Sequence, residues 1–283
     1  MSTGTPARTA ARPASRHAAR PASRLTAPAL RRIEPAAVGA VVFRELTMYR
    51  RYWKSTTFSS VVEPTIYLLA FGFGFGSLVA QVAGYDYVDF VGTGIVATAV
   101  LFSSAFPGMF GTFVKRHFQK TYDAMLAAPV DTEEVVTAEA FYIGMRSGIY
   151  GVVPMLVAIL FGLEPSWGML LVPLIGVLTG FGFAAFGIWI SGIVPSIDSF
   201  GYVISAVLTP LFLVAGTFFP IDGLPGWAQD AALLNPLFHC VELVRAAVFG
   251  LELGDLWHVL ALVVFAAIMW VLAVHKLRSR LVL

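Results

Sequence analysis

Six runs of apolar residues divide the chain, at about 57–79, 88–114, 138–162, 168–193, 200–219 and 256–275. Each is long enough for a helix across about 30 Å of hydrocarbon, which takes roughly 20 residues. The only sizeable charge-rich segment between two runs is the 115–137 loop. Within it Phe118, Tyr122, Met125 and Leu126 fall at i, i+4, i+7 and i+8, which predicts one face of a short helix. Lys115, Arg116, Gln119, Lys120 and Asp123 take the opposite face. Pro129 ends that helix, because it has no N–H to donate and crowds the preceding turn. Asp131 and Glu134 then stand at N-cap and N3 spacing, a capping box for the next helix.

Three segments outside the runs have their own patterns. Residues 1–35 form an Ala/Arg/Pro tail in which ARPASR occurs at 11–16 and again at 19–24. Arg8, Arg12, Arg16, Arg20 and Arg24 would make a basic helical stripe, but Pro13 and Pro21 interrupt it, so the tail is expected to be disordered and basic. Its Arg-rich, acid-free composition also resembles an organellar transit peptide, whereas no secretory signal peptide is expected. Residues 36–55 mix Val38, Val41, Val42, Leu46, Tyr49 and Trp53 with Arg44, Arg50, Arg51 and Lys54, the composition of a helix lying along a membrane surface. Over 220–255, Pro225 opens a helix of about ten residues that carries Trp227. Asn235 caps a second from Pro236 to Phe249, which Gly250 closes. At 1.5 Å per residue the second is about 21 Å long, too short to span. The pair is therefore expected to dip into one leaflet, joined at Asn235-Pro236.

Charge placement supplies the orientation. Of 19 Lys and Arg residues, 11 precede the first run, three lie in the 115–137 loop and three (Lys276, Arg278, Arg280) follow the last run. Basic loops stay cytoplasmic, so both termini and the 115–137 loop are expected there, with an even number of spans. The hydrophobic share of 58% and charged share of 13% describe a polytopic membrane protein. Clustered glycines in the first run (Gly72, Gly74, Gly76) and the fourth (Gly176, Gly180, Gly182, Gly187) predict close helix packing.

Little chemistry is encoded. The one cysteine, Cys240, excludes an intrachain disulfide, and the five histidines show no metal-ligand spacing. GxxxxGK[ST], HExxH and GxSxG are all absent. No catalytic residue, metal site, cofactor or nucleic-acid contact is assigned to this chain. Within the runs, Glu63 and Arg146 stand at comparable depth with opposite charge and are expected to pair, since an unpaired ion there costs a few kcal/mol. Glu242 and Arg245, at i and i+3, are expected to pair in the second short helix.

In order along the chain come Glu63-Pro64-Thr65-Ile66-Tyr67, Thr121-Tyr122-Asp123-Ala124-Met125-Leu126-Ala127-Ala128-Pro129, Val214-Ala215-Gly216-Thr217-Phe218-Phe219-Pro220, Leu224-Pro225-Gly226-Trp227 and Leu234-Asn235-Pro236-Leu237. Over roughly 36–280 this series resembles the permease subunits of ABC exporters of the second type. The nodulation-type lipo-oligosaccharide exporters and the daunorubicin-type drug exporters are the nearest in kind. Ala215 departs from the Ser that related permeases often place before the glycine.

The resemblance implies an all-α transmembrane domain over 36–283 with six spans, an interfacial helix at 36–55 and a re-entrant outer pair at 220–255. It implies two copies of a separate ABC ATPase that carry ATP and magnesium, and a second permease, which makes a homodimer if identical and a heterodimer if not. Phe118, Tyr122, Asp123, Met125, Leu126 and Pro129 would form the helix that couples to the ATPase. Pro225, Trp227, Asn235, Pro236, Glu242 and Arg245 would shape the outer exit. The cargo would be an amphiphile crossing a bacterial inner membrane: a lipid-linked oligosaccharide, a glycolipid or a hydrophobic drug. Two other classes stay open at this point. A stand-alone carrier or channel would need a polar lining, and an intramembrane transferase would need clustered His, Asp or Ser.

Overall fold

A computed structural model describes residues 33–281 except 77 and 80, and of residues 59–61, 63, 64 and 73 it describes the backbone alone. The basic tail thus lies outside the described residues up to position 32. The chain is almost entirely helical. In order, α1 is Pro35–Gly76, α2 is Tyr87–His117, α3 is Thr121–Leu126 and α4 is Thr132–Leu160. Next come α5 at Trp167–Ile193, α6 at Ile197–Leu213, α7 at Gly226–Leu233, α8 at Pro236–Phe249 and α9 at Leu253–Leu281.

Among the described residues, four helices are long and apolar enough to cross a membrane: α2, α4, α5 and α9. The pair α7 and α8, bent by 83°, would count as a fifth if it formed one span. The first apolar run lies in the later part of α1, where several side chains fall outside the description. The fifth run, read as 200–219, is helical only to Leu213, and the chain then turns at Gly216 with φ +76°.

Expected boundaries shift where local chemistry decides. The segments read as a separate surface helix and first span are two helices within α1 that meet at a kink at Tyr52, the one residue there with non-helical dihedrals, a few residues before the expected boundary. Tyr49 and Thr57 bridge that break through a 2.9 Å hydroxyl contact, and Tyr150 of α4 joins both. Two helices widen into π turns, at Pro107–Gly111 in α2 and Ile204–Leu208 in α6. In α2 the proline opens the turn, and in α6 Pro210 follows it, because proline has no N–H to keep the regular ladder. The 80–87 connection holds a two-residue hairpin, with Gln81–Val82 antiparallel to Tyr85–Asp86. Ala83 and Gly84 supply the positive φ that such a turn requires.

Packing centres on α5, which packs against α4, α9 and α2. Gly176 faces Gly148 of α4 so closely that a Cβ on Gly176 would stand 2.8 Å from the Gly148 Cα. Small residues of this kind bring helix backbones together where lipid supplies no hydrophobic drive. The first-run glycines do not pack this way. A Cβ at Gly72 or Gly76 would meet Val88 at 3.8 and 3.6 Å, an ordinary contact.

Candidate coupling site

The short helix of the 115–137 loop starts later than its apolar spacing suggests. Helix α2 carries Lys115 and Arg116 and ends at His117. Phe118 and Gln119 follow, Lys120 adopts a left-handed φ of +52°, and α3 begins only at Thr121. Phe118 therefore does not share a helical face with Tyr122, Met125 and Leu126, and Lys115 and Arg116 do not lie on the opposite face of α3. Pro129 lies three residues beyond α3.

Tyr122 and Phe118 separate further in exposure. Tyr122 is 1% exposed, packed with Val135, Val136 and Ala140 of α4, while Phe118 is 69% exposed. Met125 and Leu126 are half-buried against the same cluster. The outward surface includes His117, Phe118, Gln119 and Lys120 ahead of α3, and Asp123, Ala124, Ala127, Ala128 and Pro129 on and after it. Tyr122 thus packs into the body of the chain and anchors α3.

What Tyr122 reaches is a buried ionic cluster. Its hydroxyl donates to Glu139 Oε2 of α4. Lys115 Nζ donates to Glu139 Oε1 at 2.9 Å and to Glu45 Oε2 of α1 at 2.8 Å. Thr112 Oγ1 also donates to Glu139 Oε1, at 3.2 Å, and Arg44 pairs with Glu45 Oε1 at 2.7 Å. The Glu45 and Glu139 side chains are 4% and 3% exposed. Arg44, Lys115, Glu45 and Glu139 balance in charge, which satisfies the requirement that buried ions be paired and hydrogen-bonded. Burial first, and then the Glu139 charge, push the Tyr122 phenol well above its ordinary pKa, so at neutral pH it is a hydrogen-bond donor.

The cluster joins α1, α2, α3 and α4 through ionic and hydroxyl contacts, and neighbouring bonds brace it. Asp131 and Glu134 form the expected capping box, with Asp131 N–H donating to Glu134 Oε2 at 2.9 Å. Glu134 Oε1 also accepts from the Glu34 backbone at 2.9 Å. Glu133 pairs with Arg278 of α9 at 2.9 Å. A push on α3 at this end would be felt by four helices together. Sequence reading singled out Glu63 and Arg146 for such a tie and missed Glu45 and Glu139. The Glu63 side chain lies outside the described residues. Arg146 donates to Ser103 O at 3.3 Å and sits 5.8 Å from the Tyr142 and Tyr150 rings.

At the opposite end, Asn235 Oδ1 accepts from Leu237 N–H at 2.9 Å, and Pro236 occupies the first turn of α8 as expected. Asn235 Nδ2 also donates to Leu211 O at 2.7 Å, which fixes the bent pair to α6. Pro225 precedes α7 at its N-cap, and Trp227 is 76% exposed. Glu242 and Arg245 pair at 3.0 Å. Arg245 is itself buried, with its guanidinium carbon 3.7 Å from the Phe90 ring centroid and Nη2 donating to Gly216 O at 2.6 Å. Two of the histidines, which show no metal-ligand spacing along the chain, meet in space. His239 Nδ1 and His258 Nδ1 lie 2.8 Å apart, and His239 Nε2 donates to Leu233 O at 2.9 Å. No group of three or more metal-ligating residues occurs among the described residues.

Between the later part of α1 and the end of α6 lies an open groove of about 520 Å³. Tyr67, Phe71, Phe75, Phe212, Phe218 and Phe219 line it, and Phe71 and Phe218 have ring centroids 4.3 Å apart.

Residues 36–249 match the ABC-2 type transporter family. The chain belongs to that family. Nodulation protein J of Sinorhizobium fredii (strain NBRC 101917 / NGR234) is 32% identical over 236 residues, covering 81% of this chain and 89% of that protein. Nodulation protein J of Rhizobium meliloti (strain 1021) is 30% identical over 256 residues, covering 87% and 97%. The inner membrane transport permease YadH of Escherichia coli (strain K12) is 26% identical over 219 residues, covering 76% and 84%. This ABC-2 family member is therefore a transporter permease, and the matched segment contains the whole ionic cluster and the bent helix pair.

Proposed function

We propose that this chain is the transmembrane permease of an ATP-driven exporter that moves an amphiphile across a bacterial inner membrane. The observation that carries the reading is the Glu45–Lys115–Glu139–Tyr122 cluster, which ties an outward-facing short helix to three longer ones. In this reading six helices span: the later part of α1, then α2, α4, α5, α6 and α9. The first part of α1 lies at the cytoplasmic interface, both termini are cytoplasmic, and α7 and α8 re-enter from outside. Two permeases, as a homodimer, sit on two copies of an ABC ATPase that bind ATP and magnesium. This chain needs no cofactor of its own. The family and the permease relatives support an ABC ATPase partner.

Phe118, Asp123, Ala124 and Pro129 offer the surface to the ATPase. Closure of the ATPase pair displaces α3, and Tyr122 and Glu139 pass that displacement to α4. Because Lys115 and Glu45 are bound to the same carboxylate cluster, α1 and α2 move with it. The aromatic groove between α1 and α6 suits the apolar part of an amphiphile, since aromatic faces bury large area without polar demands. A lipid-linked oligosaccharide or glycolipid is the first choice, in keeping with the nodulation protein relatives, and a hydrophobic drug the second.

The test is co-purification of the tagged chain from its native membrane, with assay of vanadate-sensitive ATP hydrolysis. A stoichiometric ATPase that is lost on Phe118→Ala with Asp123→Ala supports the reading. A chain that comes through alone and still moves solute in liposomes overturns it in favour of a stand-alone carrier.

A further inference from the structure

Two arginines from different helices converge on the last turn of α5. Arg116 of α2 donates through Nη2 to Ser191 O at 2.7 Å, and Arg280 of α9 donates through Nε to the next carbonyl, Gly192 O, at 3.2 Å. Lys276 of α9 packs there too, since a Cβ on Gly192 would stand 2.8 Å from its Cγ. The final carbonyls of a helix carry about half a negative charge, which attracts cations. Three full positive charges exceed that several-fold.

Neighbouring cations are neutralised differently. Lys115 meets Glu45 and Glu139, and Arg278 meets Glu133. Among the described residues, none of Arg116, Lys276 and Arg280 belongs to an ion pair. Arg116 is only 9% exposed, and its Nη1 has no hydrogen-bond partner among the described residues. Buried guanidinium groups are ordinarily paired, and an orphan N–H in such a group is costly. The site therefore holds excess positive charge together with a buried, unused donor.

We propose that Arg116, Lys276 and Arg280 form an oxyanion site that binds a phosphate group, carried by an anionic lipid or free in solution. A guanidinium fork matches phosphate geometry, and Arg116 has already committed Nη2 to the helix, leaving Nη1 for the ligand. The setting favours a lipid source. The site lies where the apolar lengths of α2, α5 and α9 end, and Phe113 and the exposed Ile193 flank it with apolar surface. This inference does not depend on the ATPase partner or on the cargo.

The experiment uses the full chain, purified in detergent and stripped of lipid. Its thermal midpoint and its lipid adducts by native mass spectrometry are followed as dioleoyl phosphatidylglycerol, dioleoyl phosphatidylcholine or inorganic phosphate is added. Phosphatidylglycerol should raise the midpoint and remain as one tight adduct per chain, where phosphatidylcholine does neither. Arg116→Gln and Arg280→Gln should each weaken that binding about fivefold. Arg280 is exposed, so its variant keeps the core intact and remains informative if the Arg116 variant fails to fold. Stabilisation by inorganic phosphate alone, lost in Arg280→Gln, would identify the free ion as ligand at the same site. Equal responses to all three additions, or wild-type phosphatidylglycerol binding in Arg280→Gln, would overturn the proposal.

Discussion

The ammonium of Lys115 lies 2.8 Å from the carboxylate of Glu45, 70 residues earlier in the chain, and this contact ties α2 to α1 within the buried cluster. Removing one partner of a buried pair leaves the other ion uncompensated, at a cost of about 3–5 kcal/mol. Lys115→Met should therefore lower the thermal midpoint strongly, measured in detergent. Adding Glu139→Gln should recover part of the loss by removing one orphaned charge. Additive losses in the double variant would mean that the two groups do not share an environment.

Tyr122→Phe keeps the ring packing and deletes one hydrogen bond to a carboxylate, worth about 1.5–3 kcal/mol. If α3 transmits motion through this bond, ATP hydrolysis by the bound ATPase should persist while transport falls. Equal loss of both, or of neither, would rule out that role.

The same phenol sets a pH dependence. Its folded-state pKa is raised above the unfolded value of about 10 by burial and then by Glu139. The bond's contribution is thus complete below about pH 10 and is lost as pH rises through the raised folded value. Chemical denaturation across pH 8 to 11 should show a decline in wild type that is smaller in Tyr122→Phe. Parallel declines would assign the alkaline loss to other groups.

Asn235 serves two bonds that can be separated. Asn235→Ala should cost about 1 kcal/mol for the lost cap, and more for the lost contact with Leu211 O. Asn235→Asp keeps the capping oxygen and loses only the donor to Leu211. An aspartate variant as unstable as the alanine one would show that the cap contributes little.

The aromatic groove predicts a selective defect. Phe71→Ala together with Phe212→Ala should reduce amphiphile transport several-fold and leave ATPase binding intact, since neither residue lies near α3. Photocrosslinking of a lipid-tailed probe to this groove in wild type, and its loss in the variant, would check the path directly. Unchanged transport would place the path elsewhere.

Local rules were enough for the features whose partners lie within a few residues. The Asp131–Glu134 capping box, the Asn235 cap with Pro236 and Gly250 at either end of α8, and the Glu242–Arg245 pair all depend on separations of two to four residues or on one residue's own backbone. Apolar run length likewise placed α2, α4, α5 and α9, because helix length against hydrocarbon thickness is a property of each segment alone. Periodicity misled at Phe118, because it takes helix for granted and the left-handed Lys120 interrupts it. The partners of Lys115, the burial of Tyr122, the approach of His239 to His258 and the meeting of Arg116 with Arg280 at the end of α5 came only with tertiary packing. Each joins residues on different helices, and which faces meet is decided by how side chains interdigitate and small residues let backbones approach. A single apolar run carries no record of its neighbours. The sequence by itself therefore determined a membrane bundle and its caps, while packing decided which charges share a site.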